Sequence, residues 1–370
     1  MTLIAHIADV HLGYAQYGLE EREKDIYQAF DEAIEMTLKE HVRVFLIAGD
    51  LFDSPKPPIK ALMKAREELE RLRKRGVEIF HVLGDHEIPR RLNDLPPTAI
   101  LRGISKHVGL KKAKTGDGKI TVVGLDRTPP SLMKNSLSEL KRISAEISEG
   151  KRILIAHVPA HRPEKGFELL PLGYTYYALG HEHERKILVK GGSPAAYSGS
   201  IEILSISEIE SWEKSGKGFF IIDLSKAEPA LHKVNLTSIR PQRIFDIRAG
   251  ELERALEEAI RWSVPQSKRP IIHFRIRGRK LDRPFIARRI QEKLSGKVLY
   301  YRHEILEEEQ EVRFERPKKL DIKSMIREYM SAKGFSGEEI ELALAIYESF
   351  ISGGSDAMQQ IIMSRVEGRG

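Results

Sequence analysis

Residues 2–11, TLIAHIADVH, decide how the rest of the chain is read. The run is short, apolar and rich in β-branched residues, so it reads as a buried strand. It ends in Asp9 and His11, which as residues i and i+2 of an extended chain face the same side. The same design recurs in VRVFLIAGD (42–50), VEIFHVLGD (77–85), RILIAH (152–157) and YTYYALGH (174–181). Between these runs, Glu20–Glu40 and Pro58–Arg75 carry helical patterns. In the second, Ile59, Leu62, Met63, Leu69 and Leu72 form an apolar stripe, and Gly76 is a stop signal. Strands alternating with helices predict an α/β core. In such cores ligand sites collect at the carboxyl ends of the strands. Asp9, His11, Asp50, Asp85, His86, His157, His181 and His183 are therefore expected to converge, though remote in sequence.

Composition narrows the chemistry. The 370 residues include no cysteine, which excludes disulfide scaffolds, zinc ribbons, Cys nucleophiles and iron–sulfur sites. No apolar run reaches the ~18 residues of a membrane span. The first residues lack a basic leader and place His6 and Asp9 inside their apolar stretch, unlike a signal peptide. A soluble cytoplasmic protein is expected. Charged residues make up 31%, with 61 Lys+Arg against 54 Asp+Glu and a net charge of +7. The excess is local: twelve Lys/Arg face two Asp/Glu between Lys268 and Arg302, a balance of +10. That block reads either as a polyanion-binding face or as a solvated, thermophile-type surface.

The patterns divide the chain into an α/β body (1–238), a basic α/β cap (239–306), a charged linker (307–320), a helical hairpin (321–352) and a flexible tail (353–370). The first boundary rests on Thr237, Ser238 and Pro241. In the hairpin, Ser336 and Glu339 form a predicted capping box, with Phe335 and Ile340 as its hydrophobic staple. The hairpin's apolar face, containing Ile326, Leu344 and Tyr347, fits either packing on the body or docking of a partner.

Carboxylates and imidazoles suit Mn, Fe or Zn, and a pair of such metals suits phosphoester hydrolysis. Single pieces are weak evidence, and His6, His81, His107, His161 and His303 read as ordinary hydrogen-bonded histidines. The set is more telling. D-x-H at Asp9–His11, G-D at Gly49–Asp50, G-D-H-E at Gly84–Glu87, His157 after ILIA, and G-H-x-H at Gly180–His183 together resemble the calcineurin-like metallophosphoesterases. GDLFD, GHEHER followed by YSGSIE, the basic cap and the C-terminal hairpin are similar to the SbcD-type DNA double-strand-break repair nucleases.

The resemblance implies a two-sheet sandwich flanked by helices, with a small α/β DNA-binding cap and a C-terminal helical hairpin. It implies two Mn²⁺ per chain. Asp9, His11, Asp50 and His183 would hold one, and Asp50, Asp85, His157 and His181 the other, with Asp50 as the bridge. His86 would contact the phosphate and protonate the leaving oxygen. The implied activity is 3′–5′ exonuclease on duplex DNA and endonuclease on single strands, associated with the nucleoid. The implied partners are DNA, an ABC-type coiled-coil ATPase docked on Ile326, Leu344 and Tyr347, and a second copy of the chain. Pro58–Arg75 and Pro97–Lys106 are the candidate dimer helices, and Arg275, Arg277, Arg279 and Lys280 the candidate DNA contacts.

Two positions depart from the family pattern. Asp85 stands where Asn is usual, which predicts tighter metal binding and less residual attraction for phosphate. Asp53 stands where His is frequent and is expected to hydrogen-bond an imidazole. Two other readings share the ligand set: a phosphodiesterase or phosphatase acting on nucleotides or proteins, and a non-catalytic DNA-end scaffold.

Overall fold

The computed structural model describes residues 2–89, 91, 93–162, 166–226, 228–279, 281–307 and 321–367. They fall into two compact units, residues 1–276 with 282–305 and residues 277–281 with 306–370.

The first unit is built on two six-stranded sheets. One contains β1 (Leu3–Ile7), β2 (Val44–Ala48), β3 (Glu78–Val82), β4 (Lys106–His107), β11 (Gly218–Asp223) and β12 (Ala230–Asn235) in the order β12-β11-β1-β2-β3-β4. The other contains β5 (Lys112–Lys114), β6 (Ile120–Leu125), β7 (Lys151–His157), β8 (Tyr176–Gly180), β9 (Lys186–Lys190) and β10 (Ser193–Tyr197) in the order β5-β6-β7-β8-β10-β9. The strands β1 to β4 run parallel, as do β6, β7, β8 and β10. Each parallel set therefore delivers its carboxyl ends to one edge.

Alternation along the strands explains the layering. In β2, Val44, Leu46 and Ala48 face the second sheet, where Val122, Ile153, Ile155 and Tyr176 meet them. Phe45 and Ile47 point the other way, onto Ile26, Phe30, Ala65 and Leu69. Those residues belong to α1 (Glu20–Lys39) and α2 (Ile59–Lys74). The far face of the second sheet, with Val123, Leu154, Tyr177 and Leu179, packs on Met133, Leu140 and Ile143 of α3 (Pro130–Ala145). Both faces of each sheet are covered, so the strands read as unbroken apolar runs.

After α4 (Ile209–Ser215), the basic segment forms the sheet β13 (Gln242–Arg248), β14 (Ile271–Gly278) and β15 (Tyr300–Glu307), with α5 (Leu252–Ser263) and α6 (Arg283–Leu294). The expected boundary at 238/239 does not separate compact units. A buried polar joint lies across it. Asp25 of α1 accepts from Arg22 (2.6 Å), Arg240 (2.5 and 2.9 Å) and Lys268 (2.9 Å). Glu202 takes the Arg240 N–H at 3.2 Å, and Gln242 donates to Gln16 at 3.0 Å. One cation of the basic block, Lys268, is thus tied to the body's own carboxylate.

The second unit contains α7 (Ile322–Ala332) and α8 (Gly337–Glu367). The expected capping box is formed: Ser336 and Glu339 exchange backbone and side-chain bonds of 2.7–3.4 Å. Residues beyond 353 were expected to be frayed, yet α8 runs on to Glu367, with its backbone broken once at Gly354 (φ 70°). Residues such as Ala357, Met358 and Gln359 sustain helix after that break. The expected helix over Pro97–Lys106 is a single tight turn, Pro97–Leu101. Gly103 with φ +83° ends it and sends the chain into β4. The linker residues 308–320 lie outside the described residues.

Candidate metal centre

The loops singled out by the sequence arrive at one place. Ligand atoms of Asp9, His11 and His183 lie within 4.8 Å of one another. So do those of Asp9, Asp50 and His157, of Asp85, His157 and His181, and of His11, Asp53 and His86. Shared members join the four groups into one cluster. Four of its residues hold left-handed backbone: Asp9 (φ 51°), His11 (φ 53°), Asp50 (φ 48°) and His181 (φ 96°). Such conformations cost about 1–3 kcal/mol each and persist only where the surroundings over-determine them. Here Asp9 N–H binds Gly49 O (3.2 Å), His11 N–H binds Asp50 O (3.0 Å), and the His181 N–H binds the Asp9 carboxylate (3.0 Å).

The imidazoles are held by their outer nitrogens. His11 Nδ1 is 3.0 Å from Asp53 Oδ1, His157 Nδ1 is 2.8 Å from Ala48 O, and His183 Nδ1 is 3.0 Å from Glu208 Oε1. Each acceptor fixes the proton on Nδ1 and leaves Nε2 as a lone-pair donor, the arrangement found around metal-ligating histidines. His11 Nε2 and His157 Nε2 are buried without a hydrogen-bond partner. Buried unpaired nitrogens aimed among carboxylates fit a cation. His181 Nδ1 binds Asp85 Oδ2 at 2.9 Å.

Asp50 sits between the groups. Its Oδ1 accepts the His86 N–H at 2.8 Å, and its Oδ2 lies 3.2 Å from His157 Nε2 and 4.0 Å from His11 Nε2. Burial pushes its carboxyl up, but His157, His11 and the His86 N–H outweigh that and hold it at about 2. Asp85 is likewise opposed by burial and held far below the usual carboxylate range by His157, His181 and Arg127. Asp9 goes the other way, because complete burial dominates and raises it. Burial lowers the His183 imidazole, but Glu208 and Asp9 outweigh it and raise the group above its ordinary value.

Three participants were not singled out from the sequence. Glu208 orients His183 and is itself held by Lys217, Ser200 and Ser205. Glu87, fully buried, accepts Phe52 N–H and Gly84 N–H at 3.1 Å and so ties the second loop to the third. Arg127 donates to Asp85 at 2.6 Å. The run TVVGLD (121–126) is a further apolar strand closing on an aspartate, but nothing in it marks Arg127. SISE (205–208) carries no comparable local signal.

Of the remaining candidates, His86 belongs to this cluster through His11 and Asp53. His86 is half-exposed, and its Nδ1–H donates to Asp53 O at 2.8 Å. Arg275 and Arg277 share one face of β14, and Arg279 is exposed after it; Lys280 lies outside the described residues. In the hairpin, Leu344 is 5% exposed, while Ile326 and Tyr347 are half-buried. Leu344 is thus a core residue of the hairpin rather than an open contact.

A family model described as calcineurin-like phosphoesterase matches residues 2–185. The chain is 32% identical to the DNA double-strand break repair protein Mre11 of Saccharolobus solfataricus, over 94% of this chain and 95% of the relative. It is 32% identical to the protein of the same name from Sulfurisphaera tokodaii, over 93% and 92%. To that of Methanocaldococcus jannaschii it is 29% identical, over 95% of each.

Proposed function

Because the chain belongs to the Mre11 family of DNA double-strand break repair proteins, within the calcineurin-like phosphoesterases, we propose that it is a two-metal DNA nuclease. The observation that carries this reading is the set of imidazoles fixed through Nδ1, with buried, unpartnered Nε2 atoms of His11 and His157 among three aspartates. Asp9, His11, Asp50 and His183 hold one ion; Asp50, Asp85, His157 and His181 hold the other. Mn²⁺ suits this nitrogen and oxygen donor set. When bound, the pair supplies positive charge to the phosphoryl oxygens and acidifies a water.

The protein's own groups do the rest. Asp50 would be shared by both sets, because its Oδ2 lies 3.2 Å from His157 Nε2 and 4.0 Å from His11 Nε2. Asp53 keeps the His11 imidazole in one tautomer through its carboxylate, and holds His86 Nδ1–H through its carbonyl. In its doubly protonated form His86 then presents Nε2–H to the phosphate and gives that proton to the departing oxygen, keeping Nδ1–H on the Asp53 carbonyl. Arg275, Arg277, Arg279 and Lys280 are the proposed phosphate contacts along duplex DNA, which predicts steep salt dependence and little sequence preference.

The proposed activities are 3′–5′ shortening of duplex ends and internal cutting of single strands, in the cytoplasm at the nucleoid. No helix among the described residues is long and apolar enough to cross a membrane. The hairpin docks a coiled-coil ABC-type ATPase through Ile326 and Tyr347, with Leu344 supporting that face from within. The chain pairs with a second copy through α2, whose Ile59 and Met63 are 75% and 64% exposed.

End-labelled duplex DNA tests the reading, in Mn²⁺, in Mg²⁺ and in chelator, beside Asp50→Asn. Manganese-dependent shortening from the 3′ end, absent in the variant, is expected. Intact DNA alongside turnover of a small phosphodiester would replace the nuclease with a phosphodiesterase.

A further inference from the structure

The second sheet contributes a cation to the centre. Leu125 ends β6, and the next two residues grip the loop that follows β3. Asp126 Oδ1 accepts the Leu83 N–H at 2.7 Å, and Arg127 N–H donates to Leu83 O at 2.8 Å. Both backbone polar groups of Leu83 are thereby taken, two residues before Asp85. From this anchored position Arg127 Nε reaches Asp85 Oδ1 at 2.6 Å. The other Asp85 oxygen faces His181 Nδ1 at 2.9 Å and His157 Nε2 at 3.4 Å. The two oxygens are therefore divided between an arginine and the centre. Neither partner is fully exposed, at 34% and 28% of the side chain. Screening is correspondingly weaker than for a surface pair.

We propose that Arg127 is a positioning residue that orients Asp85 toward the metals and offsets its charge, so that the loaded centre keeps its attraction for phosphate. The inference rests on the dinuclear reading above. Three carboxylates, Asp9, Asp50 and Asp85, against two divalent ions leave one positive charge; Arg127 supplies a second. The weaker phosphate attraction expected from Asp85 by itself is thus offset by a residue forty-two positions away in the chain. The guanidinium Nη groups have no hydrogen-bond or ion-pair partner among the described residues, so a phosphate oxygen can use them without breaking the Asp85 contact.

The test is calorimetric titration of the full chain with Mn²⁺, followed by inorganic phosphate, with thermal melts to verify folding. Asp85→Asn alone should weaken Mn²⁺ binding about tenfold or more, because the guanidinium then faces the ions unopposed. Asp85→Asn with Arg127→Gln should return Mn²⁺ affinity to within about threefold of the native chain. Arg127→Gln alone should weaken phosphate binding about tenfold. Arg127→Lys, the variant to use where Gln does not fold, keeps the charge and should hold Mn²⁺ affinity within about threefold of native. A double variant as weak as Asp85→Asn alone overturns the charge role, as does a loss above about tenfold in Arg127→Lys. Failure of the native chain to bind two Mn²⁺ would instead overturn the dinuclear reading.

Discussion

At the carboxyl edge of the two sheets, Asp9, His11, Asp50 and His181 hold left-handed backbone and are buried or half-buried. Their partners come from segments up to 172 residues away. In the hairpin of α7 and α8 the stops and starts are local. Asp321 accepts Lys323 N–H and Ser324 N–H, and Ser336 and Glu339 cap each other. Among its described large apolar residues only Ile340 and Leu344 are buried. A strained site needs a large core to enforce it, whereas a capped helix pair needs only its own neighbours. The comparison predicts that one small change spreads through the first region and stays put in the second.

Gly84→Ala gives the largest expected effect. An added Cβ would lie 2.2 Å from Asp50 Oδ1 and 2.4 Å from Asp50 N. The Asp50 loop must move, and overpacking of this kind costs about 1–3 kcal/mol. Hydrolysis of duplex DNA should fall to the level of Asp50→Asn, and Mn²⁺ titration should show loss of at least one ion. A fully active Gly84→Ala would mean that the close approach of the two loops is dispensable.

Glu208→Gln ranks next. It keeps the shape but removes the charge that holds His183 Nδ1–H and pairs with Lys217. Outer partners of metal-ligating histidines are typically worth about 10–100-fold in affinity or activity. A loss of that size in Mn²⁺ affinity, with melting temperature lowered by the unpaired Lys217, is expected. Unchanged affinity would show that Asp9, His11 and Asp50 suffice to hold the ion.

Glu208 also marks how far the sequence could be read. The strand-end residues were legible because a buried strand ending in Asp or His is visible within ten residues. The capping box at Ser336 was legible for the same reason, since its partners are three residues apart. Glu208 and Arg127 were not, because each acts on a residue that only the fold brings near, and of Glu87, which closes the G-D-H-E motif, the same holds for its bond to Phe52. The polar joint around Asp25 escaped likewise: Arg22 and Asp25 occupy the apolar face of α1, where periodicity calls for core residues, and the Asp25 partners Arg240 and Lys268 lie more than 200 positions on. The helix beyond Gly354 was misread because two glycines look like an end even where helix-forming residues follow.

Gly334→Ala is the counterpart of Gly84→Ala and the smallest effect. Gly334 has φ +85°, and its added Cβ would meet nothing within 4 Å. Its N–H binds Ser331 O at 3.0 Å and Phe335 N–H binds Met330 O at 3.1 Å, the paired bonds of a Schellman helix end. The cost is therefore conformational only, about 1–2 kcal/mol for a left-handed alanine. That is enough to loosen the end of α7 but has no route to the proposed metal ligands, which lie in a separate compact unit. Hydrogen exchange on the full chain should quicken by about tenfold at Gly334, Phe335 and the last turn of α7, as expected for local opening easier by that amount. Exchange in the Asp9, Asp50 and Asp85 loops should stay unchanged, and so should hydrolysis of duplex DNA. If the Asp50 loop exchanges faster in Gly334→Ala, the two regions share one cooperative unit, and the division between an enforced site and a self-contained hairpin does not hold.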